Sequence, residues 1–464
     1  MASRTKDAHK FLRGSSGSIS ATSSPAPQDL ELAQHRTPGS TTTVTPKAVE
    51  KVKTIDGVDD TLSKESPPQS VSQCRIVFNL VTGSYLHLLL LLMPVAAYSY
   101  FAQWGDIPIF VLNFLAMMPL ANILGEATEE LAEHCGDTIG GLINATFGNA
   151  VEVIIAVFAL REGQIPLVQS SLLGSILSNL LLVLGCCFIA GHMGGVPEST
   201  FSGRAAATNM SLLFVTSFAM LVPTYYQYTN KADSKKERKD EVLLMSRVSA
   251  IFLIAMYVQL LVFQLYTHRT PPSSSSSTTD EKDNDDNGEE DAATDTADVD
   301  DAEDEPQMSF WASLLVLAVS TAFVSVHSQF LVGSVEGFTK HANVSSSFVG
   351  IILLPIVGNA VEHVTAIKVA FKNNMELALG VAVGSAAQIS LFVVPFCVVT
   401  GWIMGQPMSL AFTTFEAVTY VVSVVIVYTV ISNGTSNWLE GCMLLTLYSL
   451  IGVALLLIDI DTDA

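Results

Sequence analysis

The chain contains a succession of apolar segments, each long enough to cross a lipid bilayer as a helix. A transmembrane helix needs about 20 consecutive, mainly apolar residues. Eleven segments meet this requirement and predict eleven membrane-spanning helices. Their predicted bounds are 77–101, 106–125, 138–160, 165–190, 205–224, 244–267, 309–333, 346–367, 375–400, 410–431 and 438–458. We therefore expect an all-α polytopic membrane protein, because a helix satisfies its backbone hydrogen bonds internally.

The charge distribution agrees with this fold class. Only 14% of the 464 residues are charged, and 15 of the 44 acidic residues lie between Asp280 and Glu305. A soluble domain usually carries about 25% charged residues, so a soluble enzyme is excluded. The net charge of −21 is largely a local feature. No basic stripe interleaved with aromatic residues is present, which argues against a nucleic-acid partner.

The chain is predicted to have five parts, in which the two long polar stretches separate the apolar segments. They are a disordered tail (1–75), a first transmembrane helix (76–101), a five-helix repeat (102–267), an acidic loop (268–308) and a second five-helix repeat (309–464). The basic residues of the connecting loops do not settle the orientation in the membrane.

An internal repeat relates the two halves. The sequence Gly-Asn-Ala-Val-Glu at 148–152 recurs at 358–362, an offset of 210. The pair Gly-Ser at 174–175 recurs at 384–385 in the same register. Without any gap, 13 of the 44 positions in 148–191 match their partners. Gly191 likewise recurs as Gly401, and three landmarks in one gap-free register indicate a duplicated unit.

The copies lie on the third and eighth spans, so five spans separate equivalent helices. Five is an odd number, and equivalent helices must therefore cross the membrane in opposite directions. This predicts two inverted five-helix repeats plus an extra first helix, a transporter architecture with its site near the bilayer midplane. We expect Gly148, Gly174, Gly358 and Gly384 to permit close helix approach or local unwinding.

Two glutamates occupy equivalent places inside the predicted membrane region. Glu152 is the only ionisable residue of the third span, and Glu362 lies deep in the eighth. A charge near the bilayer centre costs about 2.5–3.5 kcal/mol. Its occurrence at the same point of both copies favours an ion site over a structural role. Asn149 and Asn359 each lie three residues earlier, on the same helical face as the glutamate.

Further oxygen-bearing side chains lie on the following spans. Ser175 and Ser178 share a face of the fourth span, as do Ser385 and Gln388 on the ninth. They either line the ion site or form interhelical hydrogen bonds, which are common for such residues in membranes. An all-oxygen set with two carboxylates suits a hard cation such as calcium. We expect His363 and His327 to be packed rather than to act as ligands.

The two glutamates also suggest a coupling. A bound divalent cation neutralises them, whereas empty carboxylates in a low-dielectric cavity take up protons. Competition between cation and protons for the same oxygens is sufficient for antiport. No cofactor is expected, and the transported calcium and protons would be the substrates.

The repeated motifs resemble those of the cation/proton exchanger family of the calcium/cation antiporter superfamily. The run TIGGLINATFGNAVEVIIAV resembles the first repeat of that family, and VGNAVEHVTAI resembles the second. The resemblance covers about 77–460 and implies eleven helices, a cytoplasmic N-terminus and calcium transport into an acidic compartment such as a vacuole. It also implies exchanging carboxylates at Glu152 and Glu362, with Asn149 and Asn359 beside them.

The same resemblance implies that Ser385 and Gln388 line the site, although Ser178 stands at the Gln388 position of the first repeat. Glu129, in the run EATEEL after the second span, resembles an acidic access residue of the family. Glu336, after the seventh span, is a second candidate for an access or gating role. The acidic loop resembles a segment of the family, and both weak calcium binding and simple solvation remain open for it.

Three alternatives were weighed. A sodium-coupled calcium exchanger of the same superfamily is the nearest, but other residues would be expected around its acids. An intramembrane protease lacks support because no HExxH motif occurs, and a P-loop NTPase is excluded by the absence of GxxxxGK[ST]. An ion channel fits an inverted repeat with ionisable site residues less well. The expected partners are membrane lipid and the transported ions, and a homo-oligomer is compatible with the sequence.

Overall fold

A computed structural model describes residues 73–83, 85–229, 235–267 and 308–457. The predicted tail and the predicted acidic loop lie almost wholly outside these ranges. The described chain is helical, with one short two-stranded sheet.

The first half of the described chain runs from residue 73 to residue 267. Its elements are α1 (Gln73–Thr82), a 3₁₀ helix (Tyr85–Leu92), α2 (Met93–Phe101), α3 (Asp106–His134), α4 (Gly136–Phe147), α5 (Ala150–Arg161), α6 (Ile165–Leu177), a π-helical turn (Ser178–Val183), α7 (Leu184–Met193), β1 (Ser199–Thr200), α8 (Gly203–Thr229), α9 (Lys235–Val262) and a second π-helical turn (Phe263–Thr267).

The second half runs from residue 308 to residue 457. Its elements are α10 (Phe310–Ala342), α11 (Ser346–Phe348), a π-helical turn (Val349–Leu353), α12 (Leu354–Gly358), α13 (Ala360–Phe371), α14 (Met375–Gln388), a π-helical turn (Ile389–Val393), α15 (Val394–Met404), α16 (Thr414–Ile431), β2 (Thr435–Ser436) and α17 (Trp438–Leu457). The strands β1 and β2 pair antiparallel.

The fold confirms a polytopic all-α membrane protein. Within the described ranges, eight helical segments are long and apolar enough to cross a membrane, and a bent pair at 346–358 and 362–371 raises the count to nine. The predicted first span corresponds to a shorter apolar helical stretch, Tyr85–Phe101. The predicted third span is divided between α4 and α5, each of 12 residues. Each of the eleven predicted spans thus coincides with helical structure, but not each with one uninterrupted helix.

The third and eighth spans break at the repeated motif. Helix α5 begins after Asn149 (φ −103°, ψ 23°), and α13 begins after Asn359 (φ −100°, ψ 13°). The predicted spans 138–160 and 346–367 are thus each interrupted rather than formed by one continuous helix. The breaks lie at Asn149 and Asn359, one residue after the glycines at which unwinding was expected, since Gly148 has helical dihedral angles (φ −57°, ψ −32°) and Gly358 is the last residue of α12. The two copies thus share their backbone conformation as well as their sequence.

Helices α3 and α10 each extend nine residues beyond their predicted ends. Helix α3 continues to His134, so Glu129 lies within it rather than after it. Helix α10 continues to Ala342 and includes Glu336. Both extensions consist of residues that are compatible with a helix but too polar for the membrane interior. Hydropathy therefore marks the end of the apolar region and not the end of the helix.

Of the candidate spans, Ile165–Met193 is the most buried: 83% of the residues in its most apolar stretch are buried inside the protein. It crosses the 349–353 turn of the other half almost backbone to backbone. A Cβ added at Gly174 would lie 2.5 Å from the Cα of Ile351, and one at Gly350 would lie 2.5 Å from the Cβ of Ser170. The expected close approach is thus present at Gly174. At Gly384 the nearest such atom is 3.9 Å away, so no close approach occurs there.

The inverted arrangement is visible along this same segment. The loop 162–164 adjoins its start, whereas its end lies against the end of α13, where Gly194 contacts the carbonyl of Phe371. A helix of 29 residues is about 43 Å long at 1.5 Å per residue. The equivalent loops 162–164 and 372–374 are therefore at opposite ends of a membrane-length segment.

We expect single cysteines placed in 162–164 and in 372–374 to react with an impermeant thiol reagent from opposite sides of sealed vesicles. The measurement is labelling before and after the vesicles are opened, in a variant without its native cysteines. Labelling of both loops from one side would contradict the inverted repeat.

We expect Gly174→Ala to lower the free energy of unfolding by about 1–3 kcal/mol, because its Cβ would meet backbone atoms that cannot rotate away. Gly333→Ala in α10 is the matched control, since nothing lies within 4 Å of its added Cβ. Thermal unfolding of the purified variants in detergent measures both. A Gly174→Ala protein as stable as the control would show that the crossing tolerates a wider separation.

Candidate ion-binding site

The helix breaks place both glutamates in the first turn of a helix. Glu152 lies in the first turn of α5 and Glu362 in the first turn of α13. The first four N–H groups of a helix lack intrahelical partners, and the helix dipole is positive at this end. Each break therefore creates a local environment that favours an anion or a polar oxygen inside the bundle.

The two motifs meet at Gly358. The Oε1 atom of Glu152 lies 2.6 Å from the position that a Cβ of residue 358 would occupy. Any side chain at this position would displace the carboxylate. The first glutamate is thereby brought against the helix break that precedes the second one, and the inverted repeats contribute to one site.

A cavity of about 350 Å³ reaches this site from one face of the bundle. Its wall includes Gly148, Gly358, Glu362, Ser385 and Gln388. It is also lined by positions 377 and 380, near the start of α14, so it extends toward the 372–374 face. Glu362 is thus reached from that face.

Glu152 occupies a separate and much smaller pocket. This pocket has a volume of about 10 Å³ and is lined by Ser171, Ser175 and Gly358 among others. The side chain of Glu152 is only 7% exposed. Gly358 borders both cavities and forms the wall between them. The two glutamates are therefore equivalent in sequence but not in access: one lines the open cavity and the other is enclosed.

Hydrogen bonds tie the second-repeat residues together. The Ser385 hydroxyl donates to Oε2 of Glu362 at 2.8 Å, and the Asn179 amide donates to the Ser385 hydroxyl at 3.0 Å. The Asn149 amide donates to Oε1 of Gln388 at 3.2 Å. The structure thus forms two hydrogen-bonded groups, Asn149 with Gln388 and Asn179 with Ser385 and Glu362, and Gln388, Ser385 and Glu362 all line the large cavity.

The remaining predicted residues lie at the edge of these groups. The Asn359 amide donates to the carbonyl of Ser175 at 3.5 Å. The Ser178 hydroxyl lies 3.2 Å from Nε2 of His363. His327 is buried, with Nδ1 at 2.7 Å from Oδ1 of Asn113. Both histidines are packed against neutral polar groups, as expected for residues that are not ligands.

Three buried oxygens near the glutamates have no hydrogen-bond partner within the described part of the chain. They are Oδ1 of Asn149, Oε2 of Glu152 and Oδ1 of Asn179. Buried oxygens are normally paired, and an unpaired one costs about 1–3 kcal/mol. Their grouping around two carboxylates fits a site whose remaining partner is a cation or a proton.

Asn179 was not predicted as a site residue. It follows Ser178 directly, and its counterpart in the second repeat is the apolar Ile389. Comparison of the two repeats therefore hides it. The available signal was its position four residues after Ser175, which places both side chains on one helical face.

The two candidate access residues differ in position. Glu129 lines the large cavity and a shallower depression beside it at the same face. Glu336 instead forms an exposed ion pair with Lys340, with an Nζ–Oε1 distance of 2.6 Å. The structure thus brings Glu129 to the cavity and places Glu336 on the outer surface.

The polar side chains of the site carry carboxylate, hydroxyl and amide groups. Among the described residues, no three His, Cys, Asp or Glu side chains group together as a metal cluster. The site instead combines two carboxylates, on either side of Gly358, with neutral oxygens. Such a set suits a hard divalent cation that is bound transiently rather than held as a structural metal.

Inverted repeats that bring two carboxylates of the membrane-spanning segments to one helix break are the architecture of a secondary transporter. The family model described as sodium/calcium exchanger protein matches residues 106–266 and 312–457. The chain belongs to this family, which confirms the superfamily inferred from the repeated motifs.

Curated relatives match most of the chain. A vacuolar calcium ion transporter of Schizosaccharomyces pombe is 39% identical over 378 residues, covering 81% of this chain and 85% of its own length. A Ca²⁺/H⁺ antiporter of Aphanothece halophytica is 41% identical over 366 residues, covering 79% and 94%. A vacuolar cation/proton exchanger of Arabidopsis thaliana is 39% identical over 394 residues, covering 84% and 85%.

Solved structures share the fold. The Ca²⁺/H⁺ antiporter protein YfkE aligns with a TM-score of 0.62 and 31% identity, covering 83% of this chain and 100% of that chain. The H⁺/Ca²⁺ exchanger CAX aligns with a TM-score of 0.58 at 10% identity, covering 83% and 93%, a likeness of fold alone.

Proposed function

We propose that this protein is a secondary antiporter that exchanges calcium for protons by alternating access. The observation that carries the proposal is the pair of glutamates from inverted repeats, one enclosed and one lining the large cavity, separated by Gly358 and accompanied by unpaired buried oxygens. The names of the relatives, among them calcium/proton antiporters, support calcium and protons as the substrates.

In the proposed mechanism, calcium enters the large cavity and is bound by the carboxylates of Glu152 and Glu362. Asn149, Asn359, Ser175, Ser178, Ser385 and Gln388 are the proposed neighbouring oxygen and amide groups. Ser385 orients the Glu362 carboxylate through its hydrogen bond, and Asn179 in turn orients Ser385. Glu129 would attract cations at the cavity mouth. After the protein opens to the other face and calcium leaves, protons neutralise the same carboxylates.

We infer a location in the membrane of an acidic organelle, with the N-terminus in the cytoplasm. The relatives described as vacuolar support the organelle. In that orientation the large cavity faces the cytoplasm, where calcium is collected. A sodium-coupled exchanger on the same fold is less well supported, because the relatives reported above are named for calcium, cations and protons rather than sodium.

We expect Glu152→Gln and Glu362→Gln each to reduce proton-driven calcium uptake to the background of protein-free vesicles. Each change is nearly isosteric, but it removes one negative charge and one proton carrier from the site. The measurement is calcium uptake by purified protein in vesicles with an imposed pH gradient, with and without sodium.

Glu440→Gln is the matched control, because that carboxylate accepts a local bond from the backbone of Asn437 at the start of α17. Normal exchange by the Glu362→Gln protein would contradict the mechanism. Uptake that requires a sodium gradient would favour the sodium-coupled alternative.

We expect the apparent Kd for calcium to rise as pH falls, because protons compete for the same carboxylate oxygens. The sign follows from mass action: each proton bound at low pH must leave before calcium binds. With two titrating carboxylates the slope cannot exceed two protons per calcium. Equilibrium binding of calcium to the purified protein at constant ionic strength measures it, and a pH-independent Kd would contradict shared ligands.

A further inference from the structure

The connection between α15 and α16 is buried at residue 408 and at 410–412 although it is not helical. Residues 405–413 form a coil in which Met408, Leu410 and Phe412 are at most 2% exposed. Connecting segments normally lie at the surface, because a buried coil must find partners for its backbone polar groups. Residues 405–413 are called the buried coil below.

Helix α6 supplies part of these partners. The side-chain amide of Gln169 donates to the carbonyls of Ser409 and Ala411, both at 2.9 Å. These two contacts hold the buried coil against the start of the central membrane segment.

Two other helices complete the attachment. The hydroxyl of Ser246 in α9 accepts from the backbone N–H of Leu410 at 2.9 Å. The hydroxyl of Thr224 in α8 accepts from the N–H of Phe412 at 3.1 Å. The buried coil is therefore fixed by side chains of α6, α8 and α9 rather than by its own backbone.

Glu416 continues these contacts into α16. Its carboxylate is 2% exposed and accepts bonds from three donors. The Ser170 hydroxyl of α6 lies at 2.6 Å and the Ser347 hydroxyl of α11 at 3.2 Å from Oε1. The backbone N–H of Thr413 lies 3.1 Å from Oε2. One carboxylate thus joins α6, α11 and α16, elements drawn from both repeats.

The position of this junction relates it to the enclosed glutamate. Ser171, which adjoins Ser170, lines the small pocket around Glu152. Ser170 lies one residue further toward the 162–164 end, which is opposite to the end reached by the large cavity. A route from Glu152 to that face would pass the Glu416 junction and the buried coil.

The other repeat has a void at the equivalent place. With the 210-residue offset, Gly380 corresponds to Ser170 and Ala206 to Glu416. These two residues border a cavity of about 40 Å³, and a Cβ added at Gly380 would have nothing within 4 Å. Gly380 also lines the large cavity. The same position is therefore open at one face and closed by a hydrogen-bonded carboxylate at the other.

We propose that the buried coil and Glu416 form the closed gate of the face opposite the large cavity. Glu416 is a positioning residue: its bonds to Ser170 and Ser347 hold α6, α11 and α16 together while the cavity is open, and they separate when the opposite face opens. This inference rests on the proposed alternating-access function.

The test uses two cysteine reporters in the full chain without its native cysteines. Gly380→Cys reports access from the open cavity, and Ser171→Cys reports access to the small enclosed pocket. The reaction rate of each with a small polar methanethiosulfonate reagent is measured in detergent, in calcium-free buffer.

Ser170→Ala removes the shortest hydrogen bond of the junction and leaves the carboxylate in place. We expect it to raise the rate at position 171 and to lower the rate at position 380, each at least threefold, because weakening the closed gate shifts the population between two states. Ser334→Ala is the matched control, since this buried hydroxyl of α10 donates to the carbonyl of Leu331 in its own helix at 2.8 Å and lies outside the gate. The control is expected to change neither rate by as much as twofold.

A reciprocal change cannot come from simple loosening, which would raise both rates. Unchanged rates in Ser170→Ala, or a rise at both positions, would overturn the gate. Ser347→Ala is the second variant and should repeat the pattern, should Ser170→Ala fail to fold. Because labelling requires no transport, the gate can fail while exchange persists, and normal exchange by the Glu362→Gln protein, which would contradict the proposed function, leaves the labelling result intact.

Discussion

Two carboxylates within the apolar bundle constrain the rest of the structure. Glu152 is only 7% exposed, Glu362 lines the large cavity, and no lysine or arginine pairs with either in the described part of the chain. A charge withdrawn from water without a charged partner is costly, so binding of a cation or a proton at these carboxylates is favoured. The helix breaks, the surrounding amides and the unpaired oxygens all supply polar groups that a continuous apolar helix would lack.

The repeated sequence predicted the architecture because it reports on geometry that both halves share. Equivalent breaks at Asn149 and Asn359 follow from the same Gly-Asn pair, yet hydropathy alone gave one uninterrupted span in each case. A break of one or two residues hardly changes the mean hydropathy of a whole span and therefore leaves no hydropathy signal. The ends of α3 and α10 were missed for a related reason, since a helix can continue into water where hydropathy falls.

The asymmetry of the site could not be predicted from the repeat. The open cavity beside Glu362 and the enclosed pocket around Glu152 describe one conformation of a pseudo-symmetric molecule. A duplicated sequence describes what the halves have in common and not which of them is open. Asn179 and Glu416 were not predicted as functional residues for the same reason, because their counterparts Ile389 and Ala206 are apolar. Residues that distinguish the halves require the structure.

The small sheet has a consequence for how the protein is made. Strand β1 at Ser199–Thr200 pairs with β2 at Thr435–Ser436, so its partner is synthesised more than two hundred residues later. At about 5–20 residues per second, translation of that interval takes roughly 10–50 s. During this time the first half resides in the membrane without the partner of β1. Pairing of the two strands is therefore an event that follows insertion of nearly the whole chain.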